Sequence, residues 1–232
     1  AYDDPNCFGG RMRARRSRPL VELIRRVHAE RGSVRIIDVG GTRRYWRILP
    51  ESLLEECDVH ITIVNLPGTP TPDVAEPRFT YAFGDGCDLS EWPDAAFDIA
   101  HSNSVIEHVG DWDHVVRFAH ETRRVARYYF LQTPHFWFPV EPHCMVPLFH
   151  WLPKSWRVSM VMRWNLGNWT RQPDVDRAVR TVESARLLDR AMFEGLFGDD
   201  ATIRTERFFG LPKSMVAVRD RETPVGDGSI AA

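Results

Sequence analysis

The chain has 232 residues, enough for one α/β domain with an insertion and for burial of most of its apolar side chains. Its 30 basic and 32 acidic residues leave a formal charge of −2, which gives no overall attraction to nucleic acid or to an acidic membrane. No apolar run approaches the ~18 residues of a spanning helix, and the start of the chain lacks the apolar stretch of a secretory leader. Cys7, Cys57, Cys87 and Cys144 lie too far apart for a CxxC pair or a zinc-ligand spacing, so reduced thiols in a cytoplasm are expected.

Residues 1–18 carry Arg11, Arg13, Arg15, Arg16 and Arg18 and read as a basic, solvated N-terminal arm, the alternative being a phosphate-binding or site-covering role. Leu20, Leu23, Ile24 and Val27 then recur at helical spacing, which predicts an amphipathic helix over 19–31. Val34 to Val39 reads as a buried strand, Tyr45 to Glu56 as a helix, and His60 to Leu66 as a second strand. Pro67, Pro70, Pro72 and Pro77 exclude a regular helix across the next stretch. Strands are predicted at Phe79 to Phe83, Phe97 to His101 and Tyr128 to Gln132, with a helix from Val105 to Val125 before the last of these. Residues 135–170 then hold Trp137, Trp151, Trp156, Trp164 and Trp169 among prolines and basic residues. A helix near 183–197 and strands at Ala201 to Phe208 and Ser214 to Arg219 follow, the two strands pairing as a hairpin through Gly210. The stretch 222–232, rich in small residues, reads as a disordered tail.

The predicted fold is α/β: a Rossmann-like, doubly wound, seven-stranded and mostly parallel sheet, with an antiparallel C-terminal hairpin and an aromatic-rich insertion after strand 5. Residues 1–221 form one domain. Strand after strand ends on small or polar residues: Asp38-Val39-Gly40-Gly41, Asn65-Leu66, Gly84-Asp85-Gly86 and Ser102-Asn103. An open parallel sheet opens its binding crevice at that edge.

These segments, in this order, resemble the class I S-adenosylmethionine-dependent methyltransferases, in particular the broad type 11 group, over about residues 20–220. The resemblance implies S-adenosylmethionine as cofactor. It places Asp38, Gly40 and Gly41 around the methionine part, Asn65 and Leu66 at the ribose, Asp85 and Gly86 at the adenine, and Ser102 and Asn103 beside the sulfonium carbon. Asn65 stands where the family usually has an acidic residue, and an amide both donates and accepts. Asp85 also reads as an ordinary turn aspartate, and Ser102 and Asn103 as helix caps. Thr42, Arg43 and Arg44 occupy the positions where a NAD-type GxGxxG needs glycine, which weighs against a dehydrogenase or nucleotide-sugar enzyme.

Glu107-His108 is the candidate catalytic pair, with the histidine taking a proton from the acceptor; the alternative is a structural histidine beside a solvated glutamate. Such enzymes build the acceptor pocket after strand 5, so residues 135–180 are expected to form a substrate lid, with His135, Trp137, Glu141 and His143 at the acceptor. The aromatic residues could equally make a small satellite core. Ser104 leaves Glu107-His108 without a second carboxylate, and His135, Glu141, His143 and His150 show no zinc spacing, so no metal is expected. The function expected is methyl transfer to an oxygen or nitrogen of a small-molecule, glycan or lipid-linked acceptor. The alternative is a catalytically inactive S-adenosylmethionine-binding module of a larger assembly. No nucleic-acid partner is expected, while the aromatic and basic residues of the insertion permit peripheral membrane contact. The oligomeric state is left open.

Overall fold

Period-two alternation in the apolar strands divides the core into two layers. The computed structural model describes residues 8–72 and 76–221. Its seven strands are β1 (Val34–Val39), β2 (Val59–Asn65), β3 (Phe79–Phe83), β4 (Phe97–Asn103), β5 (Ala126–Pro134), β6 (Thr202–Phe208) and β7 (Leu211–Arg219). They form one sheet in the order β3-β2-β1-β4-β5-β7-β6. β1 to β5 pair in parallel, and β7 lies antiparallel between β5 and β6. The expected mostly parallel sheet with its C-terminal hairpin is therefore what forms.

Ile36, Ile61, Ile99, Phe130 and Val218 pack on one face with Leu20, Leu23, Trp46 and Leu54. Those four come from α1 (Phe8–Arg31), α2 (Arg43–Trp46) and α3 (Glu51–Glu56). The intervening residues Ile37, Ala100, Tyr129, Leu131 and Ala217 pack on the other face with Val115, Phe118, Phe193 and Phe197, from α4 (Trp112–Val125) and α7 (Arg190–Phe197). Both faces are covered, which is why these strands read as nearly continuous apolar runs.

Helices depart from the sequence reading where caps and prolines intervene. α1 begins at Phe8 and continues through Pro19, so Arg15, Arg16 and Arg18 belong to a helix rather than to an arm. Arg16 is half-buried and ion-pairs with Glu206 at 3.4 Å. The side chains of Arg11 and Arg13, Cys7 and the tail 222–232 lie outside the described residues. Pro50 splits the predicted 45–56 helix into α2 and α3. The predicted 105–125 helix is a single 3-10 turn, Ile106–His108, followed by α4, whose first turn is capped by Asp111 accepting from the His114 amide. The 183–197 helix is replaced by α6 (Val175–Glu183) and α7, the latter capped by Asp189.

The insertion reaches past residue 180, from His135 to Asp189, and contains α5 (Lys154–Arg163) and α6. Cys144, Phe149, Val161, Leu166, Ala178 and Val182 give it a small core of its own. Among the described residues no helix is long and apolar enough to cross a membrane.

Candidate active site

Strand order reverses between β1 and β4, where a crevice opens at the carboxyl ends of the strands. Gly40 follows β1 at φ +70°, and a Cβ built there would lie 2.6 Å from the Val105 side chain. Gly41 is tighter still, because its Cβ would lie 1.8 Å from Asp38 Oδ2. Both glycines are required by packing.

Asp38 is tied to its own neighbours in the core. It is fully buried, its Oδ1 lies 2.6 Å from His101 Nδ1, and its Oδ2 accepts from Trp46 Nε1 at 2.7 Å. Tyr45 and Trp46 flank the same histidine ring, with centroids at 4.4 and 4.9 Å. Each carboxylate oxygen has a partner within the protein, and these contacts hold the β1 loop in shape.

The rim beyond it is open. Asn65 ends β2 and donates from Nδ2 to the Gly41 carbonyl at 3.0 Å, a bond that a carboxylate could not make. Asn65 also lines a cleft of about 180 Å³, together with Gly41, Thr42, Thr69, Tyr81 and Ala82. Leu66 and Phe83, at the ends of paired β2 and β3, are 59% and 48% exposed and leave apolar surface beside it. Asp85 is exposed, and its Oδ1 accepts from the Cys87 amide at 2.9 Å. Asp85 is thus a turn aspartate with an exposed carboxylate, and Gly86 stands beside it. Ser102 and Asn103 lie on β4 and cap no helix. Ser102 Oγ donates to the Val39 carbonyl at 3.0 Å, and Asn103 Oδ1 accepts from Arg16 Nη2 at 3.4 Å. Arg16 therefore reaches the crevice from α1, in line with the site-covering alternative for the arginine segment.

The loop that packs on Gly40 through Val105 continues directly into Glu107 and His108. Glu107 is 1% exposed, not solvated; its Oε2 accepts from Thr133 Oγ1 at 3.0 Å, and Oε1 is buried with no hydrogen-bond partner among the described residues. Burial pushes its carboxyl up to about 7, against the Thr133 bond. His108 is exposed, and its Nδ1 lies 2.7 Å from the Ser184 carbonyl. Burial of part of its ring, with His143 beside it, holds its pKa below the usual histidine value despite that carbonyl.

The lid brings His143 to this pair, with Nε2 3.1 Å from His108 Nε2 and Nδ1 2.6 Å from Glu141 Oε1. Burial acts to lower the His143 pKa, but the Glu141 carboxylate outweighs it and the net shift is upward. Glu141, expected at the acceptor, is 4% exposed, and its Oε2 accepts from the His143 and Cys144 amides at 2.7 and 2.6 Å. It positions His143 and has no free face. His135 is also buried, accepting from the Trp137 amide at 3.0 Å, and it anchors the start of the lid through its own amide to Lys213. Trp137 is 55% exposed and tilts against Trp151 at 5.9 Å, which leaves an aromatic wall on the lid. Burial pushes the Cys87 thiol up to about 11 and Cys144 up to about 12, and the three described cysteines form no disulfide.

No family model matches the sequence, and no curated protein matches it. Among solved structures, a SAM-dependent methyltransferase from Archaeoglobus fulgidus is similar over 86% of this chain and 92% of its own, with 12% identity and a TM-score of 0.50. The chain has the class I S-adenosylmethionine-dependent methyltransferase fold. An O-methyltransferase family protein from Burkholderia thailandensis is similar over 89% of this chain and 57% of its own, at 14% identity and a TM-score of 0.49. A SAM-dependent methyltransferase from Methanosarcina mazei is similar over 80% and 91%, at 15% and 0.48. The chain thus spans just over half the length of the Burkholderia protein. In this methyltransferase fold, the crevice between β1 and β4 and the lid after β5 face one another across Val105.

Proposed function

We propose that the chain is an S-adenosylmethionine-dependent methyltransferase of the cytoplasm, acting on an oxygen or nitrogen of a small-molecule, glycan or lipid-linked acceptor held beneath the lid. The observation that carries this reading is the packing of the glycine loop after β1 against Val105, whose own loop delivers Glu107 and His108 to the lid histidine. One side of the crevice is shaped for a nucleoside and the other for proton removal.

The residues present fit such a cofactor. Asn65 keeps its amide oxygen for a ribose hydroxyl, Leu66 and Phe83 offer apolar surface for a base, and the exposed carboxylate of Asp85 suits an exocyclic amine. S-adenosylmethionine, when bound, supplies an electrophilic methyl group on a sulfonium that leaves readily. The chain's own work is to orient the acceptor, worth up to ~7–11 kcal/mol where geometry is near attack, and to receive its proton. His108 is the accessible base, since its Nδ1 is held by a carbonyl and its Nε2 faces the crevice mouth beside His143. Trp137 and Trp151 form the wall against which a ring or apolar group rests.

Calorimetric titration tests the reading. One S-adenosylmethionine or S-adenosylhomocysteine per chain is expected, and Asn65→Ala is expected to raise the Kd by about 5- to 10-fold, as for the loss of about 1 kcal/mol of hydrogen bonding. Failure of both compounds to bind would overturn the proposal. Binding without product across a broad acceptor panel would favour an inactive binding module instead.

A further inference from the structure

We propose that Glu107, His108 and His143 form a binding site for one divalent transition-metal ion, of the zinc or cobalt kind, at the lid end of the crevice. One ligand atom from each of these residues lies within 4.8 Å of the others. The hydrogen bonds behind the two rings fix what those atoms are. His108 Nδ1 faces the Ser184 carbonyl at 2.7 Å, and a carbonyl only accepts, so the proton is on Nδ1. His143 Nδ1 faces Glu141 Oε1 at 2.6 Å, while Oε2 of that carboxylate already accepts two backbone amides. Its proton is on Nδ1 as well. In the neutral rings both Nε2 atoms carry lone pairs, and these two atoms stand 3.1 Å apart. Two apposed lone pairs need a cation between them.

A proton on one ring would satisfy the histidines but leave Glu107 Oε1, buried and without a partner, unaccounted for. A metal ion engages all three groups. With Zn–N bonds of ~2.0–2.1 Å, two nitrogens 3.1 Å apart subtend an angle of about 98° at the ion, between octahedral and tetrahedral values. The Glu107 carboxylate, within 4.8 Å of both rings, would have to move toward them to complete the set. The backing is that of metal-bound histidines, which donate their other N–H to a carboxylate or a backbone carbonyl; here Glu141 and the Ser184 carbonyl fill those two roles. The sequence argued against a metal because Ser104 replaces a second carboxylate and the lid histidines show no zinc spacing, yet the lid brings His143 to His108.

Three protein ligands leave a coordination position on the exposed side of His108. An acceptor oxygen bound there would lose its proton more readily, and in that state His108 serves as a ligand through Nε2 in place of the direct base of the metal-free reading; that role rests on the methyl-transfer reading, whereas binding of the ion does not.

Chelator-treated full-length protein titrated with cobalt(II) alone is the test. One cobalt per chain is expected, with visible absorption bands from nitrogen and oxygen ligation. His143→Ala and His108→Gln are each expected to weaken binding by ~100-fold or more, and Glu141→Gln, which acts through His143, by ~10- to 100-fold. His60→Ala, an exposed histidine on β2, should bind as the unaltered protein does. Thermal denaturation of each variant separates lost ligation from lost folding. The proposal is overturned if binding is not saturable at one ion per chain, or if both histidine variants keep full affinity while folded. A parallel titration with S-adenosylmethionine keeps the two readings apart. Cobalt binding without the nucleoside supports this site and sinks the methyltransferase, and nucleoside binding without cobalt sinks this site alone.

Discussion

Replacing Asp38 by alanine is expected to lower the unfolding free energy by about 2–6 kcal/mol, because two fully buried donors lose their acceptor at ~1–3 kcal/mol each. Trp46 Nε1 and His101 Nδ1 both point at this carboxylate from within 2.7 Å, and none of the three residues is more than 1% exposed. A loss of that size takes much of the stability of a domain that holds only ~5–15 kcal/mol. Asp38→Asn keeps one acceptor and should fall between alanine and the native residue. Urea denaturation at constant m-value provides the measurement. A loss under about 0.5 kcal/mol for the alanine variant, the size of a neutral surface change, would mean that the β1 loop is held by something other than this carboxylate. The same experiment separates structure from binding, since a residue whose main role was at the cofactor would change affinity far more than stability.

For His108→Ala the expected result is kinetic: turnover falls by ~10²–10⁴-fold, the range for loss of a positioned general base, while S-adenosylmethionine affinity stays within about twofold. His108 lies on the short turn beyond Val105 and contributes no side chain to the cleft at Asn65. Its partners are the Ser184 carbonyl and His143 of the lid. A fall in kcat with an unchanged Kd for the nucleoside is the signature expected of a group acting on the acceptor side. Steady-state kinetics with any accepted substrate decides it, and equal turnover would remove His108 from the chemistry without touching the fold.

Where the sequence was legible, local chemistry and tertiary role agreed. β-branched runs such as Val34–Val39 and Val59–Asn65 are strands buried on both faces, and nothing else in the chain competes with that reading. The partners of Asp38 are invisible to spacing: Trp46 comes from the next helix, and His101 from a strand 63 residues away. The arginine segment looked solvated by charge alone, and only the fold places Glu206 and Asn103 within reach of Arg16. Glu107 shows the same limit. A glutamate in a polar run reads as exposed, whereas Thr133 and the lid close over it. One signal was available for the histidine pair. Glu141 and His143 flank Pro142 in a turn closed by the Met145 amide donating to the Glu141 carbonyl, and form a carboxylate-backed imidazole. That pattern predicts a ring held for a purpose, though not the residue it would meet.

The separate core of the insertion has a consequence for how such a protein can change. Phe149, Val161 and Val182 pack with one another, while the sheet layers are complete without them. Altering Trp137 or Trp151, both exposed on the lid, therefore remodels the chamber without loosening the strands beneath. On the methyl-transfer reading proposed above, swapping this one flap would change the acceptor preference while the donor half of the machinery passes on intact.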